Sequence, residues 1–185
     1  LGVENLSLNI NSIGCKHCRP EYNKALRAYY TAHKAELCDT CLDRLERNPL
    51  RLLDCKNPAC AALAADAPKI TDYLCPECEA HFGALQSYLG KLNISFAVNP
   101  KIVRGLDYYT KTVFEIISSE IGAQGTVCGG GRYDGLVSQL GGPEMPGVGF
   151  GMGIERLLLV MESAGAVIPE PEPLQCTMGA AARVK

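Results

Sequence analysis

Eight of the ten cysteines fall between Cys15 and Cys78 as four close pairs, and no other feature narrows the possible folds so sharply. Cys15-x2-Cys18, Cys38-x2-Cys41 and Cys75-x2-Cys78 share a two-residue gap, and Cys55-x4-Cys60 is a looser fourth pair. A gap of two residues lets one tight turn present both sulfurs to a single metal ion. In a secreted domain such a set would read as disulfides, but the opening residues show neither the basic start nor the apolar stretch of a secretion signal. Metal binding in a reducing compartment is therefore the first reading, with buried or reduced free thiols as the plain alternative. Nineteen residues separate the first two pairs, within the broad spacing of a four-cysteine zinc site. Eight thiolates suffice for two tetrahedral sites, with His17 and His81 as substitute ligands. Spacing alone leaves the pairing open.

Around the cysteines the pattern is helical. Pro20 suits a first helical turn, where its missing amide donor would have had no partner, and Tyr22, Leu26 and Tyr29 to Tyr30 follow at helical spacing. Further helices are expected at Asp39 to Arg47, Pro58 to Asp66 and Pro76 to Leu92, so a small helical unit occupies residues 14–92. Its Arg44, Arg47 and Arg51 form a local basic set that suits either RNA phosphates or a solvated helix face. Strand-like alternation brackets this unit: Leu6 to Ile13, ending at Gly14, then Ile94, Phe96 and Val98, then Thr112, Phe114 and Ile116. Twelve of the nineteen glycines lie between Gly122 and Gly153, where they let backbone pass close to a ligand. Ile154 to Glu162 returns to helical spacing. Pro169 to Pro173 reads as a linker, Leu174 to Met178 as the start of another domain, and the stop at Lys185 in mid-element suggests a fragment of a longer polypeptide.

Charge and hydropathy exclude two classes. A net charge of −2 and a pI of about 6.0 argue against a protein that coats nucleic acid through a basic face, while leaving a local RNA contact open. No apolar run reaches the length of a membrane span, so the soluble cytosol is the expected compartment. At 185 residues and 47% hydrophobic, the chain holds enough apolar matter for one ordinary domain or two small ones.

The residues that carry chemistry lie downstream of the cysteines. Val103-Arg104-Gly105-Leu106-Asp107-Tyr108-Tyr109 is followed by Gly125-Thr126-Val127-Cys128-Gly129-Gly130-Gly131-Arg132-Tyr133-Asp134-Gly135-Leu136. An arginine and paired tyrosines between two strands, with a glycine-rich turn carrying another Arg and Tyr, make a good site for an anionic ligand. Arginine supplies a fixed fork of donors for phosphate or carboxylate oxygens, and tyrosine a polar hydroxyl on an apolar ring. Taken singly, each would be a surface arginine or a core tyrosine. Cys128 has no base beside it in sequence and reads as a small core residue.

These two segments resemble the signature motifs by which histidyl-tRNA synthetases bind histidine. Pro146-Gly147-Val148-Gly149-Phe150-Gly151-Met152-Gly153-Ile154-Glu155-Arg156-Leu157-Leu158 is similar to motif 3 of the class II synthetases, a strand leading into a helix that carries an ATP-binding arginine. The likeness extends to Asn11 to Gly14, Asn48 to Lys56 and Ala67 to Leu74, and so covers nearly the whole chain.

The resemblance implies an α+β fold: part of the class II antiparallel-sheet catalytic core with a cysteine-rich helical insertion. It divides the chain into a core strand (1–13), the insertion (14–92), the C-terminal part of the core (93–166), and a linker with the start of an anticodon-binding domain (167–185). It implies activation of L-histidine with ATP, accompanied by Mg2+, and transfer of histidine to tRNA(His) by a homodimeric parent that uses neither membrane nor DNA. Arg104 then corresponds to the catalytic arginine between the α-phosphate and the histidine carboxylate. Tyr108, Tyr109 and Tyr133 correspond to the histidine pocket, lined by the backbone of Gly129, Gly130 and Gly131. Arg156 corresponds to the ATP-binding arginine of motif 3, with Gly153 leaving room for the nucleotide. The family often has alanine where this chain has Gly129. Motif 1, motif 2 and the upstream histidine-site carboxylates are not among these residues, which predicts an incomplete and inactive site in residues 1–185 alone. The cysteines fall in the insertion that packs against the tRNA acceptor arm, so zinc there is expected to be structural. A regulatory subunit of ATP phosphoribosyltransferase, which keeps the fold without aminoacylation, is the alternative; Arg104, the tyrosine pair and Arg156 favour the enzyme. A stand-alone RNA-binding zinc module would leave residues 94–162 unexplained.

Overall fold

Two parts share the chain, a sheet and a helical unit that leaves and re-enters it. The computed structural model describes residues 3, 5–121 and 125–166, so the expected linker at Pro169 to Pro173, Cys176 and the rest of 167–185 lie outside the described residues. The first strand, β1 (Leu6–Ser12), runs from exposed to fully buried, with Ile10, Asn11 and Ser12 inside. It is followed not by a neighbouring strand but by four helices: α1 (Arg19–Ala32), α2 (Asp39–Arg47), α3 (Pro58–Asp66) and α4 (Pro76–Lys91), joined through three 3-10 turns.

Local chemistry explains why these helices start where they do. Proline occupies the first turn of α1, α3 and α4, where its missing amide donor and fixed φ are no handicap. Asn57 caps α3 by accepting the Ala59 amide at 3.0 Å, satisfying one of the orphan donors of a helix start. The α1 residues Tyr22, Leu26 and Tyr30, four apart, are fully buried, and so place one face of the helix in the core. They pack with Cys41 and Leu45 of α2, Cys60 and Ala64 of α3, and Ile70. Val103, from the segment leading into the third strand of the sheet, belongs to the same core, so the helical unit and the sheet share buried surface.

The chain re-enters the sheet as β2 (Phe96–Val98), then β3 (Thr110–Ser118), β4 (Thr126–Tyr133), a four-residue helix α5 (Leu136–Gln139), β5 (Gly147–Met152) and α6 (Ile154–Ser163). The strand order is β2-β1-β3-β4-β5. Every pairing is antiparallel except β1 with β2, which is parallel. A parallel return needs a long crossover, and the helical unit is that crossover. Buried Asn11 anchors the approach to the site: its amide donates to the Ile102 carbonyl at 3.0 Å and the Pro100 carbonyl at 3.3 Å.

The glycine-rich segment departs from the sequence reading. It is no turn: Gly129, Gly130 and Gly131 lie buried in the middle of β4, between β3 and β5. The reason is close approach on alternate faces. A Cβ on Gly131 would meet the Thr112 carbonyl oxygen at 2.5 Å, and one on Gly130 would overlap the Gly149 carbonyl oxygen.

Candidate functional site

Arg104 lies in the loop that connects the shared core to β3, and a half-buried carboxylate holds it. Its Nη1 donates to Glu115 Oε1 at 2.9 Å, with the two side chains 24% and 21% exposed. The other Glu115 oxygen accepts from the Thr126 hydroxyl at 3.4 Å. The guanidinium also sits 5.7 Å from the centre of the Tyr109 ring, within cation–π reach. Gly129 clears the space beneath it, since a Cβ there would lie 2.7 Å from Arg104 Nη1. Arg104 Nε is buried without a hydrogen-bond partner among the described residues.

These groups face an open cavity of about 430 Å³. Arg104, Glu115, Thr126 and Gly129 line it together with Gly151, Gly153 and Arg156, and Asp54 and Lys56 reach it from the helical unit. Arg156, exposed on the first turn of α6, donates to the Thr126 carbonyl at 2.8 Å. The would-be Cβ of Gly153 would meet the Arg156 side chain at 3.5 Å, an ordinary contact. Two arginines lining one cavity, one from the loop before β3 and one from the start of α6, suit a ligand with several negative oxygens.

Beside this cavity the three tyrosines form a cluster. Ring centres lie 4.6 Å apart for Tyr108 and Tyr109, 5.6 Å for Tyr108 and Tyr133, and 6.3 Å for Tyr109 and Tyr133. Tyr109 is buried against Ile13, Ile102 and Val113. A hydrogen bond with Tyr109, helped by partial burial, holds the Tyr108 phenol above its ordinary value. Tyr133 lies over Gly147 and Gly149 of β5. Gly130 does not share this face: it opposes Phe114 and Phe150, one register step from the pairs that flank Arg104 and Tyr109. Cys128 is buried on β4, and burial pushes its thiol up against the opposing pull of Arg104.

The cysteines gather in two quartets, Cys15 with Cys18, Cys75 and Cys78, and Cys38 with Cys41, Cys55 and Cys60. Of the four cysteine pairs in chain order, the first therefore joins the fourth and the second joins the third, so the two pairs with nineteen residues between them do not share a site. His17 and His81 belong to neither quartet. Within each, all four sulfurs lie within 4.8 Å of one another. Cys15 Sγ is 3.7 Å from Cys18 Sγ and 3.9 Å from Cys75 Sγ, and Cys38 Sγ is 3.9 Å from Cys55 Sγ. A zinc–sulfur bond of about 2.3 Å places tetrahedral sulfurs about 3.8 Å apart, so the donors fit that ion. Backbone amides support them: Cys75 donates to Cys18 Sγ at 3.1 Å and Cys38 to Cys60 Sγ at 3.3 Å. One thiol in each quartet is primed for ionisation. The Cys41 amide above all brings Cys38 down to about 7. For Cys15, burial is outweighed by hydrogen bonds from the His17 and Cys18 amides and neighbouring thiols, which also bring it to about 7.

The basic set of Arg44, Arg47 and Arg51 does not form one exposed patch. Arg44 turns in to the Arg51 carbonyl at 3.2 Å, Arg51 lies against Gly105, and of the three only Arg47 is exposed, paired with Asp43 at 3.2 Å. Sequence reasoning missed Glu115, Asp54 and Lys56. A carboxylate between Phe114 and Ile116 in an apolar strand was the available signal for Glu115; for the other two, which flank Cys55, there was none. No helix among the described residues is long and apolar enough to cross a membrane.

Comparison with known proteins places this geometry. The histidyl-tRNA synthetase family profile matches residues 18–157. The chain is 61% identical over 172 residues to a histidine–tRNA ligase of Caldanaerobacter subterraneus subsp. tengcongensis, covering 93% of this chain and 41% of that protein. It is 57% identical over 177 residues to one of Clostridium novyi, covering 96% and 42%. It thus spans about two fifths of these relatives' length. Among solved structures, the apo histidyl-tRNA synthetase of S. aureus aligns with a TM-score of 0.68 at 40% identity, over 90% of this chain and 40% of that one.

Proposed function

Because the chain belongs to the histidyl-tRNA synthetase family, we propose that it carries the histidine-recognising part of a histidine–tRNA ligase, which condenses L-histidine with ATP, accompanied by Mg2+, and passes the histidyl group to the 3′ end of tRNA(His). The observation that carries this reading is the convergence of Arg104 and Arg156 on one cavity of about 430 Å³ beside the tyrosine cluster. In the reaction a histidine carboxylate oxygen bonds to the α-phosphorus of ATP as pyrophosphate leaves. Arg104, preorganised by Glu115, stabilises the charge that develops on the phosphoryl oxygens. Tyr108, Tyr109 and Tyr133 hold the imidazole against the backbone of Gly129 and Gly131, and Arg156 with Gly153 holds the nucleotide. A regulatory subunit without aminoacylation would have no use for two arginines facing one cavity.

The cysteine quartets bind two structural zinc ions, each of which would cross-link helix starts and turns of the unit at residues 14–92. That unit meets the tRNA acceptor arm. The parent works as a cytoplasmic homodimer.

The test is pyrophosphate exchange by the synthetase polypeptide that contains residues 1–185, with each proteinogenic amino acid in turn. Exchange with histidine alone is expected. Exchange with none, together with stimulation of an ATP phosphoribosyltransferase, would establish the regulatory reading instead. Residues 1–185 by themselves should form no adenylate, since positioning from one wall of the site lacks most of the many powers of ten that a closed site supplies.

A further inference from the structure

The two quartets are alike in chemistry but differ in what their neighbouring residues hold. Residues beside the Cys15, Cys18, Cys75 and Cys78 quartet grip one short stretch of the site wall. Gly14, just before Cys15, accepts the Lys111 amide at 2.8 Å, and Ile13 donates to the Lys111 carbonyl at 2.7 Å. Arg19, just after Cys18, donates through Nη2 to the Tyr109 carbonyl and through Nε to the Ile13 carbonyl at 3.3 Å. Glu77, between Cys75 and Cys78, pairs with Lys111 Nζ at 2.6 Å. The stretch so gripped is Tyr109 to Lys111, which begins at a tyrosine of the cluster.

That stretch needs a grip. Lys111 has φ of +52°, a region where a side-chain-bearing residue is uncommon, and the β3–β4 register shifts between Thr110 and Val113. Such backbone persists where its surroundings over-determine it, and a bulge re-aims the side chains beside it. The two arms of the grip come from the β1–α1 turn and the start of α4, sixty positions apart at Cys15 and Cys75. Their sulfurs are in thiol contact at 3.9 Å with no covalent link; one ion bound by all four would make the two arms a single body. The other quartet is set differently. Cys41 and Cys60 lie in the helical core with Cys38 and Cys55 packed against it, and Asp54 and Lys56, which flank Cys55, line a cavity whose lining includes none of the tyrosines.

We propose that a zinc ion held by Cys15, Cys18, Cys75 and Cys78 is a positioning device for the histidine pocket: through Gly14, Arg19 and Glu77 it fixes Tyr109 to Lys111 and thereby sets the affinity for histidine. This rests on the functional reading above. The second zinc serves the helical unit and leaves the histidine pocket alone.

The test uses the synthetase polypeptide that contains these residues, with three readouts: zinc per chain, thiolate-to-cobalt absorption after Co(II) substitution, and separate KM values for histidine and ATP in pyrophosphate exchange. Cys15→Ser with Cys75→Ser should retain one zinc and raise the histidine KM about tenfold or more, because small misplacements of binding groups are costly, with the ATP KM little changed. Cys38→Ser with Cys55→Ser should also retain one zinc but leave the histidine KM near wild type. Glu77→Ala, which touches no thiol, should keep both zincs and the full cobalt spectrum while raising the histidine KM about threefold. It carries the test alone if the first variant does not fold. An unchanged histidine KM in Glu77→Ala, or in the first variant with one zinc shown to be lost, overturns the proposal. Wild-type protein without zinc overturns the metal assignment and the proposal with it. Wild-type protein that holds two zincs but exchanges no pyrophosphate with histidine overturns the functional reading on which the proposal rests, a result separable from the others.

Discussion

Replacing Arg104 separates a catalytic group from a structural one, because the two roles differ in size. The structural share follows from its contacts. Its ion pair with Glu115 is neither surface nor core, with side chains 24% and 21% exposed, so it falls between exposed pairs and buried ones, at about 1 to 2 kcal/mol. The contact with the Tyr109 ring adds about 0.5 to 1 kcal/mol. Arg104→Ala should therefore lower folding stability by about 2 kcal/mol, with Glu115 left as an unpaired carboxylate. The share expected of the proposed catalytic role is larger. A preorganised donor at a developing charge is worth about 3 to 4 kcal/mol, or roughly a hundredfold or more in rate at about 1.4 kcal/mol per tenfold. In histidine-dependent pyrophosphate exchange, Arg104→Ala should fall by at least about a hundredfold at a temperature where denaturant melts show it fully folded. Arg104→Lys should recover little, since a point charge cannot hold Glu115 and a phosphoryl oxygen with one planar fork. Exchange at the wild-type rate in either variant, or a loss accounted for by the unfolded fraction, would remove Arg104 from the reaction.

Gly130→Ala should destabilise the fold by about 3 kcal/mol in denaturant melts, because the new methyl meets backbone on the neighbouring strand and backbone cannot step aside. Gly129→Ala should cost less than about 1 kcal/mol, since its methyl meets only the movable end of Arg104, and leave histidine activation within a few-fold of wild type, as expected of a position where the family often has alanine. Protein purified without chelator should carry close to two zinc ions per chain by metal analysis; less than about half an equivalent would refute zinc binding, as structural zinc survives purification. Burial, with Arg132 and Lys111 nearby, lowers His81 below its usual 6.5; the unfolded chain then takes up the proton first, so stability is complete above about 6.5 and falls as pH drops below it. His81→Gln should flatten that acid limb of a thermal melting series, and an unaltered limb would exclude His81 as its source.

Much of the local structure was legible in the order of residues, because it depends on near neighbours. The limits of α2 and α3 coincide with the apolar spacing of Asp39 to Arg47 and the proline-led run from Pro58 to Asp66, and β1 with the alternation that starts at Leu6. The family was legible for a different reason: a functional motif keeps its residues in fixed order, so Arg104, the tyrosine pair and Arg156 could be located before any geometry was known. What the chain order could not contain is which distant residues meet. Four cysteine pairs have several pairings, and the choice of Cys15 and Cys18 with Cys75 and Cys78 is made by a crossover that brings the end of β1 back to the start of α4. Glycine misled because the absent Cβ that permits a turn equally permits two strands to close on a third, and only the sheet tells these apart. Glu115, Asp54 and Lys56 became visible with the cavity they line, as did the hold of Arg19 and Glu77 on the stretch from Tyr109 to Lys111. Ion pairs and metal donors between sequence-distant residues are properties of folded distance, and distance across the chain is decided by packing.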